Sequence, residues 1–454
     1  MDSSRSAIRE RFFRQGLLLA SALFLFTLPA QAGELRALVE AEAGVRSDGN
    51  YRQAAVTEDE VLDEELEQEV ARAGLRLLLS YVTAEKFELA LGYSPAYERT
   101  LGDAEVSGTT HRLDLGFRGD LTRRLSLQVR ERLLSAPNLD LYAPATAGEA
   151  TAVTRRGDQL RHGLTVSLNH ELSRRTSLLA GLSHSLQTFE ESNLFDAETL
   201  GANLGAGFRF AEDRQLGVSA GLALYTWEDD READVQTLGV SYSHPLGRSS
   251  GFAVEAGSFN IDATRPARAP LPGEEPEEPE EESTTGWRGG LQFHQQRELF
   301  QWNAGYRHDV SAGYGLGTPS EVDNVFLGIS TNVGRRLTLG LDGNASRHED
   351  ILDLRRGADV EEDDEAGGPR ELEFAAGTAR FSWNIFQFLR LNGGYSRVWQ
   401  RSDVEPFDNL SYDRYFLGLA IRIFSTGETP RSPDELERRG APTDDDEEPE
   451  PDAQ

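Results

Sequence analysis

Between Leu200 and Phe210 the chain reads LGANLGAGFRF. Leu200, Ala202, Leu204, Ala206, Phe208 and Phe210 are apolar, while Gly201, Asn203, Gly205, Gly207 and Arg209 are small or polar. Successive side chains of an extended strand point to opposite faces, so this spacing predicts a strand with one apolar and one polar face. A short polar turn follows over residues 211–214. Leu216, Val218, Ala220, Leu222 and Leu224 then repeat the alternation against Gly217, Ser219 and Gly221. Two such runs joined by a short turn predict an antiparallel hairpin.

The unit recurs along most of the chain, giving eighteen expected strands. The first covers about Leu35–Val45. Others show Leu75, Leu77, Leu79 and Tyr81, or Phe87, Leu89, Leu91 and Tyr93, or Leu113, Leu115 and Phe117 on the apolar face. The last shows Tyr415, Leu417, Leu419, Ile421 and Ile423, with Phe424 out of phase. Links after even strands are mostly short. Links after odd strands include the long ones: an acidic stretch from Glu58 to Glu69, residues 135–158, the Pro/Glu segment within 262–285, and the acidic run 359–365. Pro/Glu composition cannot bury a core and predicts a solvated loop. Short turns at one end and long loops at the other are the pattern of an outer-membrane barrel, with both chain ends periplasmic for an even strand count. The expected fold is all-β: a transmembrane antiparallel up-and-down barrel of about eighteen strands. An exported soluble sandwich would also alternate, but it rarely runs to eighteen long hairpin strands. Tryptophans at predicted strand ends (Trp302 and Trp383 at the periplasmic side, Trp227, Trp287 and Trp399 at the other) fit aromatic girdles at two interfaces.

The ends of the chain read differently. Arg5, Arg9, Arg11 and Arg14 precede an apolar run, Leu17–Leu28, and then Ala30-Gln31-Ala32. This predicts an export signal over residues 1–32, cleaved after Ala32. The run is shorter than the ~20 residues a transmembrane helix needs. The barrel is expected over 33–424. Residues 425–454 hold 11 acidic and 3 basic residues and five prolines, which predicts a disordered acidic periplasmic tail.

Charge and composition narrow the function. The formal net charge is −31, which argues against a nucleic-acid partner. The absence of cysteine removes disulfides, thiolate metal sites and cysteine nucleophiles, and suits an oxidising compartment. A mean hydropathy of −0.49 is compatible with a barrel, in which only alternate strand residues meet lipid. The eight histidines show no metal-ligand spacing, and the acidic loops lack ordered calcium-loop spacing. Ser183-His184-Ser185 is the one tight Ser/His cluster, but strand alternation puts His184 on the opposite face from both serines. The chain is therefore read as a non-enzyme without cofactor or metal.

The candidate chemistry lies on the face opposite the apolar residues. Arg72, Arg76, Arg112, Arg118, Arg130, Arg209, Arg288, Arg390 and Arg422 fall there, with fewer acids, among them Glu88, Asp114, Glu255 and Asp342. Arginine rings lining a pore favour anions. The alternative is that these arginines pair with lumen acids and fill space, because buried charges are usually paired. A channel is favoured by size, since 16 to 18 strands enclose an aqueous lumen. A structural or adhesive barrel without transport stays open.

The signal, the hairpins and the ending YFLGLAIRIF (Tyr415–Phe424) resemble Gram-negative outer-membrane β-barrel proteins. That resemblance implies that Tyr415, Leu417, Leu419, Ile421, Ile423 and Phe424 carry an assembly signal for the barrel-assembly machinery, and that outer-membrane lipid and lipopolysaccharide surround the protein. The repeated turns Leu121–Leu127 and Leu172–Leu178, echoed by Arg335–Leu339, are similar to those of β-barrel porins associated with exopolysaccharide clusters. That likeness implies a conduit for exopolysaccharide or other anionic hydrophilic solutes, with periplasmic polysaccharide-export partners. Hairpin duplication with basic turn residues accounts for the repeats without a binding motif.

Overall fold

The computed structural model describes residues 33–48, 68–83, 87–101, 107–136, 159–189, 196–211, 214–227, 231–247, 249–265, 280–311, 319–350, 371–402, 410–426, 430, 432 and 433. Residues 1–32, the acidic runs at 58–67 and 359–365, and most of the tail lie outside them.

Eighteen antiparallel strands form one sheet: β1 (Gly33–Asp48), β2 (Gln68–Thr83), β3 (Phe87–Leu101), β4 (Ser107–Thr122), β5 (Leu125–Ala136), β6 (Gln159–Glu171), β7 (Thr176–Phe189), β8 (Ala197–Ala211), β9 (Arg214–Trp227), β10 (Glu232–Gly247), β11 (Ser250–Arg265), β12 (Glu280–Gln296), β13 (Phe300–Ser311), β14 (Ser320–Val333), β15 (Leu337–Asp350), β16 (Glu371–Asn384), β17 (Leu389–Ser402) and β18 (Leu410–Ser425). Each pairs with its sequence neighbours, and β1 also pairs with β18, so the sheet closes on itself. Links after even strands run two to four residues, those after odd strands four to 22. With strands ~4.8 Å apart and tilted ~40°, eighteen of them close at a backbone diameter of about 36 Å.

The alternating exposure of β9 shows why the sequence makes this wall. Its even residues from Leu216 to Thr226 are exposed and its odd residues from Gly217 to Tyr225 half-buried. Leu200, Leu204, Leu182, Leu238 and Leu417 are likewise exposed large apolar side chains. They form the outer belt, which water would disfavour and lipid accepts. From Leu200 to Phe210 the belt spans ten residue steps, about 26 Å along the barrel axis at ~3.4 Å per residue and ~40° tilt. Around β3–β5 the outer face is more closely packed: Leu89, Leu115 and Phe117 are buried against Phe87, Leu91, Leu127 and Val129.

Several strands reach beyond their expected ends. β11 continues to Arg265 and β12 begins at Glu280, so the ladder pairs Asp262 with Ser283 and Thr264 with Glu281 inside the segment expected to be loop. Backbone hydrogen bonds carry a ladder past the belt into water, where polar side chains cost nothing. A bulge resolves the phase of Phe424. Glu40 pairs with Arg422 but Val39 pairs with Phe424, leaving Ile423 as an extra residue in β18. The bulge turns both Ile423 and Phe424 to the outside, where they are 62% and 52% exposed.

Trp227 departs from the girdle expected of it. It follows Tyr225 on the odd face of β9 and is buried with Val235, Phe259 and Ile261. It therefore belongs to an apolar cluster on the inner face. Trp287, Trp383 and Trp399 are exposed on the outer face, and Trp302 donates from Nε1 to Gln295 at 2.9 Å. In the repeated basic turns, the carbonyls of Arg124, Arg175 and Arg336 each accept a backbone N–H from the next hairpin, at 2.7–2.8 Å. The guanidiniums of Arg124 and Arg336 reach the carbonyls of Leu172 and Ile385. These arginines tie neighbouring turns together, which gives the repeat a structural role.

Candidate functional site

The inner wall is built by the residues that alternate with the belt, and its charge is unevenly spread. Over β7–β10 it presents small uncharged groups such as Gly181, Ser183, Asn203, Ser219, Thr237 and Ser241. Over β17, β18 and β1–β5 it presents interleaved arginines and acids. Hydrogen-bonded registers set which of these meet.

The first group centres on Glu40, midway along β1. Glu40 is buried (6% exposed). It lies opposite Arg76 of β2 on one side and Arg422 of β18 on the other. Arg390 of β17 reaches across β18 to Glu40 at 3.2 Å, and Arg76 approaches it at 3.8 Å. Side chains two strands apart converge on the concave side of a barrel, which is what lets Arg390 span that distance. Arg422 makes no ion pair among the described residues, and its Nε is buried without a hydrogen-bond partner. Two guanidiniums thus contact one carboxylate, and a third arginine, Arg422, stands at the facing ladder position.

The second group continues the same row. Gly74 pairs with Ala96 and Leu77 with Tyr93, which sets Arg76 across from Ser94, and Ser94 pairs with Arg112. Arg112 holds Asp114 at 2.7 Å, and Arg132 holds the same carboxylate at 3.1 Å. Two guanidiniums share one acid here.

The remaining expected arginines are dispersed. Arg72 sits between Glu42 (3.4 Å) and Glu98 (3.5 Å), with Arg46 also near Glu98 (3.8 Å). Arg288 lies between Glu255 (3.1 Å) and Asp309 (3.2 Å) on the far side of the barrel. Arg118 stands on the inner face of β4 between Glu88 of β3 and Gln128 of β5, and Arg130 on β5 between Gly116 and Thr165. Arg209 lies at the short-turn end of β8 opposite Gln215, with no carboxylate near it among the described residues. Asp342 pairs with Arg380 at 3.1 Å.

Sequence reasoning missed Glu40, Arg132 and Arg380 as members of the wall. The alternation of Arg36, Leu38, Glu40 and Glu42 against Leu35, Ala37, Val39 and Ala41 is the signal that would have placed Glu40. It also missed polar groups on the outer face near the long-loop end. His162 meets Glu131 at 3.2 Å, and His184 meets Glu198 at 2.8 Å. The two imidazoles lie 5.6 Å apart. Farther round, Asp323 accepts from Tyr306 and contacts His308, while Arg347 bonds Glu371 at 2.6 Å. Partnering of this kind lowers the cost of polar groups at a membrane interface.

No family model and no curated protein matches the chain. Among solved structures it is similar to Pseudomonas aeruginosa OccK2 (OpdF) in complex with glucuronate, at 13% identity over 86% of this chain and 99% of that one, TM-score 0.43. It is also similar to Acinetobacter baumannii OccAB3, at 10% identity over 86% and 99%, TM-score 0.42. Pseudomonas aeruginosa OpdK with vanillate gives 12% identity over 86% and 98%, TM-score 0.42. The closed sheet, the apolar outer belt and the polar inner wall make this chain an eighteen-stranded β-barrel of the Gram-negative outer membrane.

Proposed function

We propose that the barrel is a porin-like channel for small hydrophilic solutes that favours anions. The observation that carries this reading is the surplus of guanidinium over carboxylate at Glu40, where Arg76, Arg390 and Arg422 stand against one acid on the wall of a closed barrel. A backbone diameter of about 36 Å belongs to the size class of barrels that enclose a lumen rather than a packed core. Charged groups on a low-dielectric wall focus their field into the lumen. The inner wall of β7–β10 bears Arg209 but no carboxylate among the described residues, so nothing on that side cancels the field. Segments of anionic exopolysaccharide belong to the solute class such a wall would accept.

The test is osmotic swelling of vesicles holding the refolded protein. Small sugars should enter at a rate that falls with solute size, and sugar acids should enter faster than neutral sugars of the same size. Vesicles that stay impermeable would favour a structural barrel.

A further inference from the structure

We propose that Arg76, Arg390 and Arg422, arranged around Glu40, form a binding site for a small oxyanion in the lumen wall at the seam where the first and last strands meet. The inference rests on the channel reading and names the point along the path where an anion pauses.

Three observations carry it. The first is stoichiometry: Arg390 and Arg76 already share Glu40, at 3.2 and 3.8 Å, and Arg422 stands directly across the ladder from the same carboxylate. The group carries two positive charges more than its one acid neutralises. The second is an unused donor set. Arg422 makes no ion pair among the described residues, and the Nε atoms of Arg390 and Arg422 are buried without hydrogen-bond partners. A buried charged donor without an acceptor is costly, and an arriving oxyanion would relieve that cost. The third is the bulge at Ile423, beside Arg422. Bulges re-aim neighbouring side chains and occur next to functional sites.

The chemistry fixes the ligand class. Guanidinium forks match the paired oxygens of carboxylate, phosphate and sulfate. Glu40 repels the same ligand, so it orders the arginines while keeping the residence of an anion short. A channel needs this balance, because binding must be strong enough to admit a solute and weak enough to release it.

The probe is inorganic phosphate, with the full barrel refolded in detergent micelles. Phosphorus resonance broadening should report saturable binding. Arg422→Gln and Arg390→Gln should each weaken it at least tenfold, and Glu40→Gln should tighten it several-fold. Arg123→Gln, in an exposed turn, should leave it unchanged. Heat-modifiable migration on a gel checks that each variant folds. If a glutamine variant does not fold, Arg422→Lys keeps the charge without the fork and should weaken binding three- to tenfold. In planar bilayers phosphate should reduce chloride conductance over the same concentration range. Phosphate binding without conductance would sustain the site and remove the channel reading. Absence of binding to the wild type would overturn the proposal, as would equal affinity in folded Arg422 and Arg390 variants.

Discussion

Neighbouring residues on β8 offer a direct probe of which face meets lipid. Leu204 is 66% exposed on the outer face. It lies one residue from the middle of the Leu200–Phe210 belt, about 3 Å from its centre along the axis. An arginine at the midplane of a barrel's lipid face costs ~2–4 kcal/mol, falling to ~0–1 near the interfaces. Leu204→Arg should therefore reduce the free energy of unfolding by about 3 kcal/mol, a shift of roughly a hundredfold toward the unfolded state. Asn203 points into the lumen, where its side chain lies beside Gly181. Asn203→Arg places the same group in water and should cost about 0.5 kcal/mol or less, as surface substitutions do. The assay is reversible denaturant-induced unfolding in lipid vesicles, followed by tryptophan fluorescence. Equal losses for the two variants, or a larger loss at position 203, would show that the faces have been assigned the wrong way round.

Other expectations follow from the same structure. Mass spectrometry of the membrane-extracted protein should find Gly33 at the N-terminus, and an intact segment 1–32 would contradict the export-signal reading. Removing residues 434–454 should leave heat-modifiable migration unchanged, and loss of the folded band would show that the acidic tail helps assembly. A cut before Thr426 should weaken the folded band. Thr426 exchanges hydrogen bonds with Ala37 through its N–H and its side chain, at 3.1 and 3.0 Å, and Pro430 and Pro433 are buried. An undiminished folded band after that cut would show these contacts to be dispensable. Glu40→Ala should destabilise the barrel by ~1–3 kcal/mol, since it leaves partly solvated guanidiniums facing one another without their shared acid. A stability equal to wild type in the same unfolding assay would remove Glu40 as an organiser of the seam.

Much of the wall could be read from the sequence, because alternation with period two is local. Leu200–Phe210 and Leu216–Leu224 declare their outer face without any knowledge of their neighbours. Pairing was harder to read. Arg390 and Glu40 are 350 residues apart in sequence and meet only because β18 closes onto β1, so no local pattern announces them. Phe424 looked out of phase because a bulge inserts Ile423, and a bulge is set by the partner strand. Trp227 was misread for a related reason. A tryptophan at a strand end fits a lipid girdle, but β9 keeps its phase to the last residue and carries Trp227 inward. The outer-face pair His162 and Glu131 escaped notice because only the inner face was searched for charge.

The channel account stands or falls on ion selectivity. The measurement is the reversal potential of the full barrel in a planar bilayer under a salt gradient, for wild type and for a variant with Arg112, Arg118, Arg209, Arg390 and Arg422 changed to Ser. The wild type should favour chloride over potassium. High salt should weaken that preference, since screening shortens to ~3 Å at 1 M. The substituted barrel should shift toward potassium. Cation selectivity in the wild type would contradict the account by showing that the acidic loops dominate. A reversal potential unchanged by the substitutions would show that the arginines are neutralised by their ion pairs and set no preference.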